Sequence, residues 1–289
     1  MIPFGSKRQK LRRTVVRSFL RGLVNGVLGK LNLKLIKANL PPRLNLYYVT
    51  QRPLRPLYLN VGAGNWSHPY WHNLENPVED YGKSTAQEVD VVHDLTSEEP
   101  LPLEDDSLEA VYTSHVVEHL NDKFCQQLFG ELYRCLKPGG YIRIVCPDAR
   151  IYWDGYHRED KSIFHGISET SYFADKITLE QFLLGGFAGP MSSIYGPTGM
   201  TWISDDAIRS TFAKHNLEDA MNHFSEQIPD DVVRNFPRLH KTWFTVDKLK
   251  KMLIEAGFSD AWESRYGQSK CLPMKDTIYF DQAHPDISL

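Results

Sequence analysis

Acidic residues are absent from the first 74 positions of this 289-residue chain. Thirteen Lys and Arg, from Lys7 to Arg55, come before the first carboxylate at Glu75. The remainder holds 20 basic and 36 acidic residues, so a net charge of −3 conceals a basic arm and a body at −16. Cysteine is scarce. Cys125, Cys135, Cys146 and Cys271 include no CxxC pair, which excludes a zinc ribbon or a dithiol redox motif. Their spacing suggests no disulfide framework either. No apolar run reaches the roughly 18 residues of a spanning helix, and no secretory leader is recognisable at Met1–Lys10. The expectation is a cytoplasmic protein in a reducing compartment. Charged residues at 24% and hydrophobic ones at 42% exclude a collagen-like or largely disordered chain.

The basic arm, residues 1–56, has helical periodicity from Leu11 to Leu35. Val16, Phe19, Leu20, Leu23, Val24, Val27, Leu28 and Leu31 recur every three or four residues. Arg12, Arg13, Arg17 and Arg21 crowd one end, and Gly22, Gly26 and Gly29 weaken the helix. Two readings stay open. The helix caps the body, or it lies on the anionic inner face of a membrane as a peripheral contact. Nucleic acid is not an expected partner, because the arm lacks interleaved aromatics and the body is acidic.

After Pro56 the pattern changes. Leu57–Val61 reads as a short strand running into Gly62-Ala63-Gly64-Asn65, the turn that lets a backbone approach a nucleotide-like ligand. Ser67 stands where a dinucleotide fingerprint wants Gly or Ala, which argues against an NAD site. Trp71–Glu75 is a second strand ending in an acid, and Val89–Leu95 a third carrying Asp94. Pro69 and the short spacing abbreviate the first crossover. Glu109–Ser114 is a fourth strand. A helix follows, capped by Asn121 or Asp122, with Phe124, Leu128, Leu132 and Leu136 on one face. Lys137-Pro138-Gly139-Gly140 is expected to end it before a fifth strand, Tyr141–Cys146. Strands alternating with helices imply a parallel sheet covered on both faces.

At this point the segments LNVGAGN, HDL, LPLEDDSLEAVYTSHVVEHL and LKPGGYIRIVCPD resemble the successive motifs of class I S-adenosylmethionine-dependent methyltransferases. The chain is most similar, among these, to predicted methyltransferases associated with bacterial polysaccharide synthesis. The likeness spans Leu57–Asp148 and resumes at Trp243–Phe258. It implies a doubly wound, Rossmann-like, mostly parallel α/β sheet that binds S-adenosyl-L-methionine. The core would occupy 57–149, an inserted acceptor-binding or lid segment 150–239, and the rest of the core 240–289. By the same resemblance, Gly62 and Gly64 would line the methionine part of the cofactor. Glu75 would hold the ribose hydroxyls, Asp94 and Leu95 would flank the adenine, and Ser114 and His115 would lie beneath the sulfonium. The family's last antiparallel strand would begin where the chain ends, so either it is missing here or Asp276–Phe280 substitutes for it.

The insertion is rich in aromatics: Tyr152, Trp153, Tyr156, Phe164, Tyr172 and Phe173. Five glycines between Gly185 and Gly199 fit a mobile loop at the mouth of a site. The aromatics would stack on a sugar or enclose an aromatic acceptor, or else form a satellite cluster. Asp205–Asn216 reads as a short helix. The expected chemistry is O-methylation of a saccharide or other small-molecule hydroxyl, which needs a base or a metal to take the proton. Asp148, at the end of strand five, is the first candidate base and His240 the second, followed by His157 and His165. His115-Val116-Val117-Glu118-His119 also matches the H-x-x-E-H zinc pattern. Because His115 falls at a strand-to-helix turn, the two histidines need not share a face, and no metal is expected. The rival readings are an inactive methyltransferase-like scaffold and a zinc hydrolase.

Overall fold

A computed structural model describes residues 57–76, 89–164, 177–197 and 200–282. The basic arm, His165, Tyr172 and Phe173 lie outside the described residues. Pro56–Leu289 forms one compact unit. Its sheet has five strands: β1 (Tyr58–Val61), β2 (His72–Glu75), β3 (Val91–Val92), β4 (Leu108–Ser114) and β5 (Leu136–Val145). The order is β3-β2-β1-β4-β5, and every pairing is parallel. This is the Rossmann-like arrangement, with its reversal of strand order between β1 and β4. Ligands in such sheets bind at the carboxyl ends of the strands flanking that reversal.

The central strands are largely buried, polar Asn60, Asn73 and Thr113 included. Leu59, Val61, Leu74, Leu108, Ala110 and Val111 are fully buried. Helix α1 (Asp122–Cys135) packs beneath them through Phe124, Cys125, Leu128, Phe129 and Leu132. Asn121 begins it, its side chain accepting from Phe124 N at 3.0 Å. Leu136 belongs to β5 rather than to the helix face, and Lys137–Gly140 lie within the strand. Gly139, at φ +80°, and a register shift between Leu108 and Ala110 let the chain enter the sheet directly. All four cysteines are buried free thiols.

Past β5 come α2 (Ala149–His157), α3 (Leu179–Gly185), α4 (Asp205–Lys214), α5 (Leu217–Ser225), α6 (Asp230–Asn235) and α7 (Val246–Glu255). The glycine-rich stretch after α3 is packed, not open, over residues 186–192. Phe187, Ala188 and Met191 are buried, and Phe187 joins Phe212 and Phe224 in the same core as the sheet. Trp153 and Tyr156 pack from α2 against the Phe212 ring, tilted and edge-on respectively. Tyr152, Trp153 and Tyr156 therefore serve packing, the satellite-cluster alternative extended into the main core.

No sixth strand follows α7 among the described residues. Asp276–Phe280 is a turn, and Phe280 packs edge-on against Trp71 and Tyr112 at 5.1 and 4.9 Å. Trp66 donates its indole N–H to Tyr279 O at 2.6 Å. His68 completes the cluster, its ring 4.3 Å from that of Tyr279. Burial lowers the His68 pKa to about 3, so the ring is neutral in the folded protein. Between pH 6.5 and 3 the unfolded chain binds a proton that the folded chain refuses, so stability falls with pH in that window. The expected loss is on the order of 2 kcal/mol by pH 5. Urea midpoints at pH 7 and pH 5 check it, and His68→Phe should flatten the difference.

Candidate active site

A cavity of about 370 Å³ opens at the carboxyl ends of β1, β2 and β4. Gly62, Gly64, Glu75, Asp94, Leu95, Ser114 and His115, gathered from four separate stretches of sequence, all line it. The first turn is built by two left-handed glycines, Gly62 at φ +67° and Gly64 at φ +52°. A Cβ on Gly62 would lie 2.3 Å from Val116 Cγ2, so this position is closed to any side chain. Gly64 faces open space. Glu75 braces the same turn: Oε2 accepts from Gly64 N at 2.8 Å and Oε1 from Asn76 N at 2.9 Å. A carboxylate oxygen takes about two hydrogen bonds, so each keeps one lone pair for a ligand hydroxyl. Asp94 Oδ1 accepts from the backbone N–H and hydroxyl of Thr96, both at 2.8 Å, which fixes the carboxylate beyond the short β3.

His115 closes β4 in a left-handed conformation, φ +55°, an uncommon state for a residue other than glycine. A 3-10 turn, Val117–His119, follows. His115 Nδ1 donates to Glu118 Oε1 at 3.0 Å. Burial works to raise the Glu118 carboxyl, but the bond from His115 and the nearby His119 and His240 outweigh it and hold it below the ordinary range. Burial pulls His119 down to about 4, so it is neutral at pH 7. Its ring lies 4.8 Å from that of His240. Lys241, also buried and lowered by that burial to about 7, donates from Nζ to Phe236 O and Leu239 O.

Neither candidate base lines the cavity. Asp148 caps α2, its Oδ1 accepting from Arg150 N at 2.9 Å, and burial pushes its carboxyl above the ordinary range. His240 donates from Nδ1 to Gly186 O and reaches the cavity only through His119, which does line it. His157 Nδ1 is bonded to Trp153 O. The far wall comes from α6 and the loop after it, through Val233, Arg234 and Pro237. No local motif marks these three, because only the packing of a distant helix brings them to the sheet.

The fold and site define a cleft at the strand-order reversal of a parallel sheet. Residues 73–144 match the family model described as a methyltransferase domain. That span runs from β2 through β5 and includes Glu75, Asp94 and the β4 turn. A search of curated proteins finds no match. Among solved structures, the chain is similar to a SAM-dependent methyltransferase from Archaeoglobus fulgidus, with 26% identity over 37% of this chain and 51% of that one, TM-score 0.28. It is also similar to one from Mesorhizobium loti, with 21% identity over 39% and 55%, TM-score 0.27. A third is phosphoethanolamine N-methyltransferase 2 of Haemonchus contortus in complex with S-adenosyl-L-methionine, with 20% identity over 33% and 26%, TM-score 0.23. The chain spans about half the length of the first two.

Proposed function

We propose that this protein is an S-adenosylmethionine-dependent methyltransferase acting on a hydroxyl of a saccharide or related small molecule. The observation that carries the reading is the convergence of Gly62, Gly64, Glu75, Asp94, Leu95, Ser114 and His115 on one cavity at the strand-order reversal. S-adenosyl-L-methionine is the cofactor, and when bound it supplies an electrophilic methyl group on a sulfonium. The two glycines leave room for a backbone-to-ligand approach. Glu75 is pre-oriented by Gly64 and Asn76 to receive a ribose diol, and Asp94 is held by Thr96 to accept from a base amine. These residues bind and orient, which is much of what in-line transfer needs. The saccharide acceptor rests on the sequence resemblance alone. In the same reading, any membrane contact belongs to the basic arm.

Calorimetry with S-adenosylhomocysteine tests the assignment. The full chain should bind it at micromolar concentration, about −8 kcal/mol. Glu75→Ala should weaken binding by about 10- to 100-fold, the worth of hydrogen bonds to a charged group at about 1.5–3 kcal/mol. No binding by the intact chain would favour the inactive-scaffold reading. Unchanged affinity in Glu75→Ala would remove that carboxylate from the site.

A further inference from the structure

Glu118, His119 and His240 each offer one donor atom, and the three atoms lie within 4.8 Å of one another. Their hydrogen bonds show which nitrogen of each ring is left for a ligand. A carbonyl oxygen only accepts hydrogen bonds, so an imidazole nitrogen facing one carries the proton. His119 Nδ1 faces Leu239 O at 3.2 Å, and His240 Nδ1 faces Gly186 O at 2.8 Å. In the neutral ring, Nε2 of both histidines is then a lone pair. Such a carbonyl bond to the far nitrogen is the usual outer-shell partner of a metal-binding histidine. Glu118 is prepared in the same way. His115 holds Oε1, while buried Oε2 has no hydrogen-bond partner among the described residues. A buried carboxylate oxygen left unbonded is uncommon and costly.

We propose that Glu118, His119 and His240 bind one divalent first-row transition-metal cation of the zinc and cobalt class at the wall of the cavity. Two imidazoles and one carboxylate suit these ions, whereas magnesium and calcium prefer all-oxygen shells. Three protein donors leave a position open, the arrangement of catalytic rather than structural sites. His119 is both donor and cavity-lining residue, so the site adjoins the space where a ligand would sit. Bonds of roughly 2.1 Å put tetrahedral donors about 3.4 Å apart, so the rings close slightly on the ion. The proposal differs from the absence of metal expected from the H-x-x-E-H spacing. His115 does not pair with His119, as that reading held, and His240 supplies the second imidazole instead.

The site stands on its own geometry; its role rests on the methyltransferase reading. An acceptor hydroxyl at the open position ionises more readily, its proton passing to water. The oxygen's electron pair then forms the new C–O bond as the C–S pair returns to sulfur. That would supply what neither Asp148 nor His240 offers from outside the cavity.

The test is a titration of chelator-treated full-length protein with Co2+, followed by visible absorption and calorimetry, alongside S-adenosylhomocysteine binding. One equivalent should bind with a low-symmetry cobalt spectrum. Zn2+ should displace it, and Mg2+ should not. His119→Ala and His240→Ala should weaken binding by more than the ~10–100-fold typical of outer-shell changes, while His157→Ala should leave it unchanged. Glu118 is fully buried and its replacement can unfold the chain, so the titration of the intact chain decides. Less than stoichiometric Co2+ and Zn2+ overturns the proposal; the void of about 10 Å³ beside Glu118, close to the minimum for one water, then gives Oε2 its partner. Full affinity in His240→Ala overturns it as well. Metal without S-adenosylhomocysteine binding would sink the methyltransferase reading and keep the site; the converse would sink the site alone.

Discussion

Gly62→Ala should abolish S-adenosylhomocysteine binding and lower stability by about 2–4 kcal/mol, while Gly64→Ala should cost only about 1–2 kcal/mol. Both positions are left-handed, so both pay the same backbone penalty. They differ in what surrounds them. The new methyl at 62 meets Val116, a β-branched side chain with little freedom to turn away, whereas the one at 64 meets nothing within 4 Å. Val116 sits between His115 and the 3-10 turn, so relieving the clash moves the β4 end of the cavity. Urea denaturation and calorimetry on the two variants make the comparison. Equal losses in both would mean that the close approach of Val116 is not what reserves position 62 for glycine.

Asp281→Ala should destabilise the protein by about 3–5 kcal/mol, the usual cost of leaving a buried charge without its partner. Arg143 and Asp281 are nearly covered, at 10% and 5% side-chain exposure, and form a two-pronged pair at 2.8 and 2.6 Å. Arg143 also donates to Gln268 O at 2.6 Å, and Asp281 N–H donates to Tyr112 Oη at 2.9 Å. Removing only the carboxylate strands the guanidinium. Combining Arg143→Met with Asp281→Ala should recover a substantial part of the loss, and a double-mutant cycle measures the coupling. Cofactor affinity should stay near wild type, since neither residue lines the cavity. An additive cycle would show that the pair contributes no specific energy.

The parallel α/β sheet and the cofactor-side residues that line the cavity were legible in the sequence because their signals are local. A short apolar run, a glycine turn and an acid at a strand end each announce themselves within a few positions. The same holds for one cap: Asn121 begins its helix as its type and place suggest, whereas Asp148 was read as a base and proves to be a cap. What was hidden depends on chain segments meeting far from one another. Arg234 reaches the cavity only after α6 docks, and His119 meets His240 across 120 residues of intervening chain. The packed state of Phe187 and Ala188 was masked by the surrounding glycines, whose composition suggests an open loop when their burial partners are unknown. Asp276–Phe280, one of two alternatives left open for the last strand, is held by ring contacts instead of a ladder.

The outer side of β5 has no neighbouring strand among the described residues, and this bears on how the protein would fail under heat. Tyr141, Ile142, Arg143 and Ile144 share a shallow groove with Trp262, Ser264 and Met274, so the C-terminal segment lies against that side through side chains. Side-chain attachments of this kind open before a hydrogen-bonded sheet does. Once the Arg143 fork lets go, a run of unpaired backbone beside two isoleucines is left as a template for another chain. Thermal inactivation should then be irreversible, faster at higher protein concentration, and dependent on scan rate rather than on a single equilibrium midpoint.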